Sequence, residues 1–214
     1  MEANTYKLEK IFEPTINFQI PLFQRPYIWQ IDNEIEALWI DLQDLLERRL
    51  HIGDSRPHFL GAVVLEQLEN VTGSIETRQV IDGQQRFTTL QLLLIAARDV
   101  ASYFQFDRIS NKFKELTENS EARVEQRRDR YKVLPTNIDR PAFEVVFDAK
   151  GPDEAEDRLE VSIQGYNRGL LAGIKDYLPG AGCIRKYFFV GATTQANVPD
   201  IGGVNTGCPE FNSE

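Results

Sequence analysis

Gln79-Val80-Ile81-Asp82-Gly83-Gln84-Gln85-Arg86-Phe87-Thr88-Thr89 is the stretch that decides how this chain is read. Residues suited to a buried strand run into a tight Asp-Gly turn, and a long helix follows with Thr88 and Thr89 in its first turn. A helix N-terminus carries backbone N–H groups without intrahelical partners and a partial positive charge, so a loop feeding one is a natural seat for phosphate. Here the loop adds polar side chains. Arg86 supplies a guanidinium fork, Gln84 and Gln85 supply amides, and Asp82 supplies a carboxylate suited to a hydrated magnesium ion (Mg2+) or an attacking water. Gly83 lets the backbone approach a ligand closely.

Asp82-Gly83 taken alone reads as a plain turn with Asp82 as a helix cap. Two glutamines and an arginine between a buried strand and a buried helix move the reading toward a ligand site, since burying such groups is costly unless something satisfies them. On this reading Arg86, the loop N–H groups and Thr88 bind phosphates, Asp82 holds magnesium or orients water, and Gln84 or Gln85 positions that water.

The flanking chain supplies the rest of the frame. Tyr6, Leu8, Ile11 and Phe12 suit a short helix over 5–12, stopped before Pro14. Phe18, Ile20 and Leu22 alternate with polar neighbours and Pro21, which predicts a half-buried strand near a sheet edge. Asn33 and Glu36 form a capping-box pattern ahead of an amphipathic helix reaching Arg49. The run from His58 to Leu68 and the strand Thr77 to Ile81 predict an antiparallel hairpin. Pairing would then set Phe59-Leu60-Gly61 beside Asp82-Gly83. Gly61 either leaves room for a ligand there or marks a bulge or close packing. After the turn, Phe87, Leu90, Leu94, Ala97, Ala101 and Phe104 make one stripe of a central helix, with Thr88, Gln91, Arg98, Ser102 and Gln105 opposite. Tyr131 to Leu134 reads as a short strand, and Asp139 before Arg140-Pro141 as the N-cap of a helix through Phe147. Ile163, Tyr166, Leu170, Ile174 and Tyr177 predict a last helix.

Ile81-Asp82-Gly83-Gln84-Gln85-Arg86 followed by Thr88-Thr89-Leu90 resembles the signature of the N-terminal domain of GmrSD-type, modification-dependent restriction enzymes. Gln24-Arg25-Pro26-Tyr27-Ile28-Trp29 and Phe59-Leu60-Gly61 fall in that family's order, and Leu134-Pro135-Thr136 with Asp139 and Phe143 resembles its middle segment. The resemblance implies an α+β, ParB/sulfiredoxin-like nucleotide-binding fold. It also implies that Gln24 and Arg25 face the nucleotide, an NTP (GTP or ATP) bound with Mg2+. In the family a C-terminal HNH-type nuclease cuts DNA under nucleotide control. This chain's histidines, His51 and His58, precede the motif and sit in no nuclease constellation, so DNA would be reached through a full-length protein or a partner nuclease.

Composition bounds these readings. A length of 214 residues allows one good core plus an appendage, which we divide into a nucleotide-binding domain over 1–178 and an irregular, glycine-rich tail over 179–214. Within the domain a ParB-like core spans about 14–105 and a helical extension about 106–178. The tail departs from the family's helical continuation and reads as a truncated or altered C-terminus. A net charge of −9 argues against coating nucleic acid through the overall field. Arg123, Arg127, Arg128, Arg130 and Lys132 are interleaved with acids and read as a solvated helix face. Cys183 and Cys208 show no metal-ligand spacing with histidine. With no apolar run long enough to span a bilayer and no signal-like start, we expect a cytoplasmic protein that contacts no membrane; an oligomer is compatible with the sequence. A non-catalytic module that binds nucleotide, DNA or a partner subunit is the competing reading.

Overall fold

The computed structural model describes residues 3–29, 31–53, 56–70, 73–150 and 154. The predicted helix over 163–177 and the tail lie outside the described residues. In chain order the elements are α1 (Leu8–Phe12), β1 (Ile16–Gln19), α2 (Glu36–Glu47), β2 (Val64–Gln67), β3 (Glu76–Asp82), α3 (Gln84–Tyr103), α4 (Asp107–Thr117), β4 (Val133–Leu134) and α5 (Arg140–Asp148). The fold is mixed α+β. The four strands among the described residues lie in the order β2-β3-β1-β4, with β2 antiparallel to β3 and β1 parallel to both β3 and β4. No described helix is long and apolar enough to cross a membrane.

The predicted hairpin forms, and its register pairs Val64 with Asp82 across a bulge between Val64 and Leu65. The strand β2 is shorter than the apolar run implied, so Phe59-Leu60-Gly61 precedes the ladder as irregular chain. The edge assignment for β1 is corrected. Hydrogen-bonded neighbours flank it on both sides, and Ile16, Asn17 and Phe18 are all buried. Pro21 falls beyond the strand's end, where a missing N–H costs nothing, and Leu22 is exposed rather than half-buried. Buried Asn17 is satisfied by donating to the Tyr131 carbonyl at 2.9 Å, which ties β1 to the segment leading into β4.

The helix α3 is the centre of the molecule. Phe87 meets Phe12 and Phe18 with ring centroids 5.4 and 4.9 Å apart, and Leu90, Leu93 and Leu94 continue that core beneath the sheet. Ile95 joins a second cluster with Tyr131 just ahead of β4, Leu134 in β4, and Phe143 and Phe147 from α5. Covered on both flanks, the N-terminal half of α3 has no solvated face, so Thr88 and Gln91 are buried where sequence periodicity set them on a polar side.

Other local expectations also change. A wide helical turn, Ile31–Ile35, runs straight into α2, so Asn33 lies inside the helical run and the residue immediately before α2 is Ile35. Asp139 stands immediately before α5 as expected, yet its carboxylate makes no cap bond. The basic run is no helix face. It forms two short 3-10 turns, Glu121–Arg123 and Arg127–Arg130, and Arg130 bridges Glu118 and Asp148 while its guanidinium lies 4.8 Å from the Phe147 ring. Lys132 is buried.

Candidate functional site

Three segments meet at the N-terminus of α3. The first is the turn itself. Gly83 has φ +95°, and a Cβ there would fall 2.5 Å from Val63 Cγ1, so glycine is needed both for the conformation and to let the hairpin close on the turn. Asp82, the last residue of β3, is exposed. Arg86, one turn into α3, is half-buried.

The second segment is 59–63. Arg86 Nη1 donates to the Ala62 carbonyl at 2.9 Å. Gly61 has φ +100°, and a Cβ built on it would lie 2.6 Å from Arg86 Nε and 3.0 Å from Cζ. The absent side chain is therefore the seat of the guanidinium. Gly61 is thus closely packed, and the group packed on it is the cation itself.

The third segment is the loop over 24–28. Gln24 Nε2 donates to the Ile81 carbonyl at 2.9 Å, at the very end of β3. Gln84 Nε2 donates to the Arg25 carbonyl at 3.0 Å. Gln85 spans two points, donating to the Pro26 carbonyl at 3.0 Å and accepting from the Ile28 N–H at 2.8 Å. Tyr27 is buried behind the loop with its hydroxyl 2.7 Å from Thr89 Oγ1. That Thr89 hydroxyl donates to the Gln85 carbonyl at 2.9 Å, which leaves Tyr27 as the donor of the pair. Burial pushes the Tyr27 phenol up to about 12. From α5's side, Asp139 Oδ2 accepts the Tyr27 N–H at 3.1 Å and the Thr136 hydroxyl at 2.6 Å. Burial raises the Asp139 carboxyl, and these two donors hold it partly back down.

The sequence-selected residues are therefore brought together, but with divided tasks. Arg25 and Asp82 are exposed, Gln24 and Arg86 are half-buried, and Gly61 and Gly83 shape the ground beneath them. Gln84 and Gln85 are buried and fasten the loop over 24–28 with their amides, which differs from the water-positioning role expected for them. Thr88 is only 5% exposed, which differs from the free hydroxyl expected in the first turn. Sequence reasoning missed Tyr27, Thr89 and Asp139 as parts of the fastening. One signal was present: a loop containing Pro26 has carbonyls to satisfy and one N–H fewer to use, and two consecutive glutamines supply the donors.

The groups gathered here have a chemistry suited to an anion. Arg86 lies in the first turn of a 20-residue helix, at its positive end, and exposed Arg25 lies on the loop whose backbone Gln84 fastens to that turn. Asp82 contributes one carboxylate, and among the described residues no group of three or more His, Cys, Asp or Glu side chains could hold a metal by itself. A magnesium ion would fit here as it does with nucleotides, sharing one carboxylate with phosphate oxygens and keeping several waters. At the opposite end of α3, a cavity of about 810 Å³ is lined by Leu8, Leu94, Phe106, Ile109 and Phe113, and its charged rim includes Glu9 paired with Lys112. Most of the surface that lines that cavity is apolar.

Residues 8–189 match the family of the GmrSD restriction endonuclease, N-terminal domain. The chain belongs to that family. Every described element of the GmrSD N-terminal domain, from α1 at Leu8 to α5 at Asp148, falls inside the matched range, as do all three segments that meet at the head of α3. No curated protein matches the chain closely enough to count as a relative.

Proposed function

We propose that this domain binds an NTP, GTP or ATP, at the head of α3 and hydrolyses it with magnesium as part of a restriction or phage-defence protein, on a ParB/sulfiredoxin-like scaffold. The observation that carries this reading is the Arg86 guanidinium seated on Gly61 at the start of α3, with Arg25 and Asp82 exposed on the adjoining segments. Arg86 is held by the Ala62 carbonyl, so its remaining N–H groups are aimed before a ligand arrives. Arg25 closes from the loop, whose path is fixed by Gln84 and Gln85. Gln24, tied to the end of β3 through its amide nitrogen, has its amide oxygen left to accept from the ligand side. Magnesium, when bound, neutralises phosphate charge; Asp82 is the residue to hold it, through its hydration shell, or to orient a water. DNA would be engaged by a longer protein or a partner nuclease.

A second reading has a specific observation in its favour. Both glutamine amides are engaged by the backbone of the loop over 24–28, which suits a module that binds nucleotide without hydrolysing it. Phosphate release from each NTP with magnesium, measured beside equilibrium binding, separates the two. We expect Arg86→Ala to weaken nucleotide binding by on the order of 10–100-fold, the equivalent of about 1.5–3 kcal/mol, while the fold persists. Unchanged affinity in that variant would remove the site. Binding without release would leave the second reading standing.

A further inference from the structure

We propose that the Phe59 ring is the platform on which the nucleobase stacks, so that the site takes a nucleoside triphosphate in preference to a bare polyphosphate. The inference rests on the nucleotide reading above and adds to it the group that would read the base.

Leu60 packs against the core, while the residues on either side of it face away: Gly61 toward Arg86, and Phe59 into solvent with 75% of its surface exposed. The Cα atoms of Phe59 and Gly61 are at most about 7 Å apart along the chain. A ring so placed is within a nucleoside's reach of a phosphate held by Arg86. The phenyl group offers a π face and no hydrogen bonds, which suits a base and does nothing for a phosphate. Phe59 is also part of a pattern. Leu22 and Phe23, 69% and 79% exposed, lie directly ahead of Gln24, and partly exposed Ile81 carries the carbonyl that Gln24 holds. Exposed apolar side chains thus occur on each of the segments that meet at the head of α3, beside the residues that carry the two arginines.

Calorimetric titration of the 214-residue chain with the magnesium complexes of ATP, GTP and inorganic triphosphate tests the assignment. The wild type should bind one of the nucleotides more tightly than triphosphate. Phe59→Ala should weaken that nucleotide by on the order of tenfold and leave triphosphate unchanged, while Phe59→Trp keeps the wild-type affinity. Phe106→Ala, which removes an exposed ring beyond the far end of α3, should change neither ligand. Wild-type nucleotide affinity in Phe59→Ala, or an equal loss for nucleotide and triphosphate, would overturn the proposal. Should triphosphate bind through Arg86 and the nucleotide bind no better, the stacking role fails while the phosphate site stands. Absence of binding by all three ligands would overturn the nucleotide reading and this inference together.

Discussion

Gly61 and Gly73 share a left-handed backbone, φ +100° and +95°, yet they differ in what surrounds them. A Cβ at Gly73 would meet open space, whereas at Gly61 it would collide with the Arg86 guanidinium. Alanine at either position bears the conformational strain, about 1–2 kcal/mol. Only at Gly61 must a functional group also move. We expect Gly61→Ala to displace Arg86 and lower nucleotide affinity about as far as Arg86→Ala does, while Gly73→Ala loses a similar amount of stability in urea titration and binds normally. Equal affinities in the two glycine variants would show that the seat does not position the cation. The same pair shows where sequence reading stops. Each glycine announces a turn, but the neighbour that makes one of them irreplaceable comes from a helix 25 residues further along.

The loop over 24–28 behaves as an element without secondary structure, made rigid by side chains from other parts of the chain. Gln84, Gln85 and Thr89 hold it from α3, and Asp139 holds the Tyr27 N–H from the start of α5. Removing the Asp139 carboxylate leaves a part-buried N–H without its acceptor, a cost of about 1–3 kcal/mol. Asp139→Ala should therefore speed amide exchange at Tyr27 and Ile28 and weaken nucleotide binding through Arg25. Asp139→Asn retains an acceptor oxygen, so its exchange and affinity should stay near wild type. Unaltered exchange in the alanine variant would mean that the glutamines suffice. The hairpin, α3 and the meeting of the selected residues at their junction were legible from the sequence because each follows from local periodicity and turn chemistry. The interior position of β1 was not, because its partners are β3 and β4, far along the chain, and strand order depends on those distant pairings. The loop partners of the glutamines were hidden for a related reason: an amide in the sequence does not reveal whether its partner is a ligand or the backbone of a distant loop.

Across the whole molecule, the parallel pair β1 and β4 is stitched by a buried cation whose protonation should be visible in global stability. Lys132 is 2% exposed, and its ammonium donates to the Pro14 carbonyl at 2.7 Å, just ahead of β1. Burial lowers its pKa from the usual 10.5 to about 8, with Glu115 pulling the other way. Between those two values the unfolded chain holds a proton that the folded chain has released, so unfolding takes up a proton and stability rises with pH. Tyr27 acts in the opposite sense above pH 10, where the unfolded phenol ionises and the buried one, raised to about 12, does not. The window that isolates Lys132 is therefore pH 8–10. Urea unfolding should show wild-type stability rising by about 2 kcal/mol across that window relative to Lys132→Met, whose thioether fills similar volume and carries no titrating group. The curves should be parallel below pH 7, where the lysine stays protonated in both states. Parallel curves through pH 8–10 as well would mean that the ammonium stays charged in the folded domain, with the Pro14 carbonyl and nearby water solvating it well enough to cancel the effect of burial.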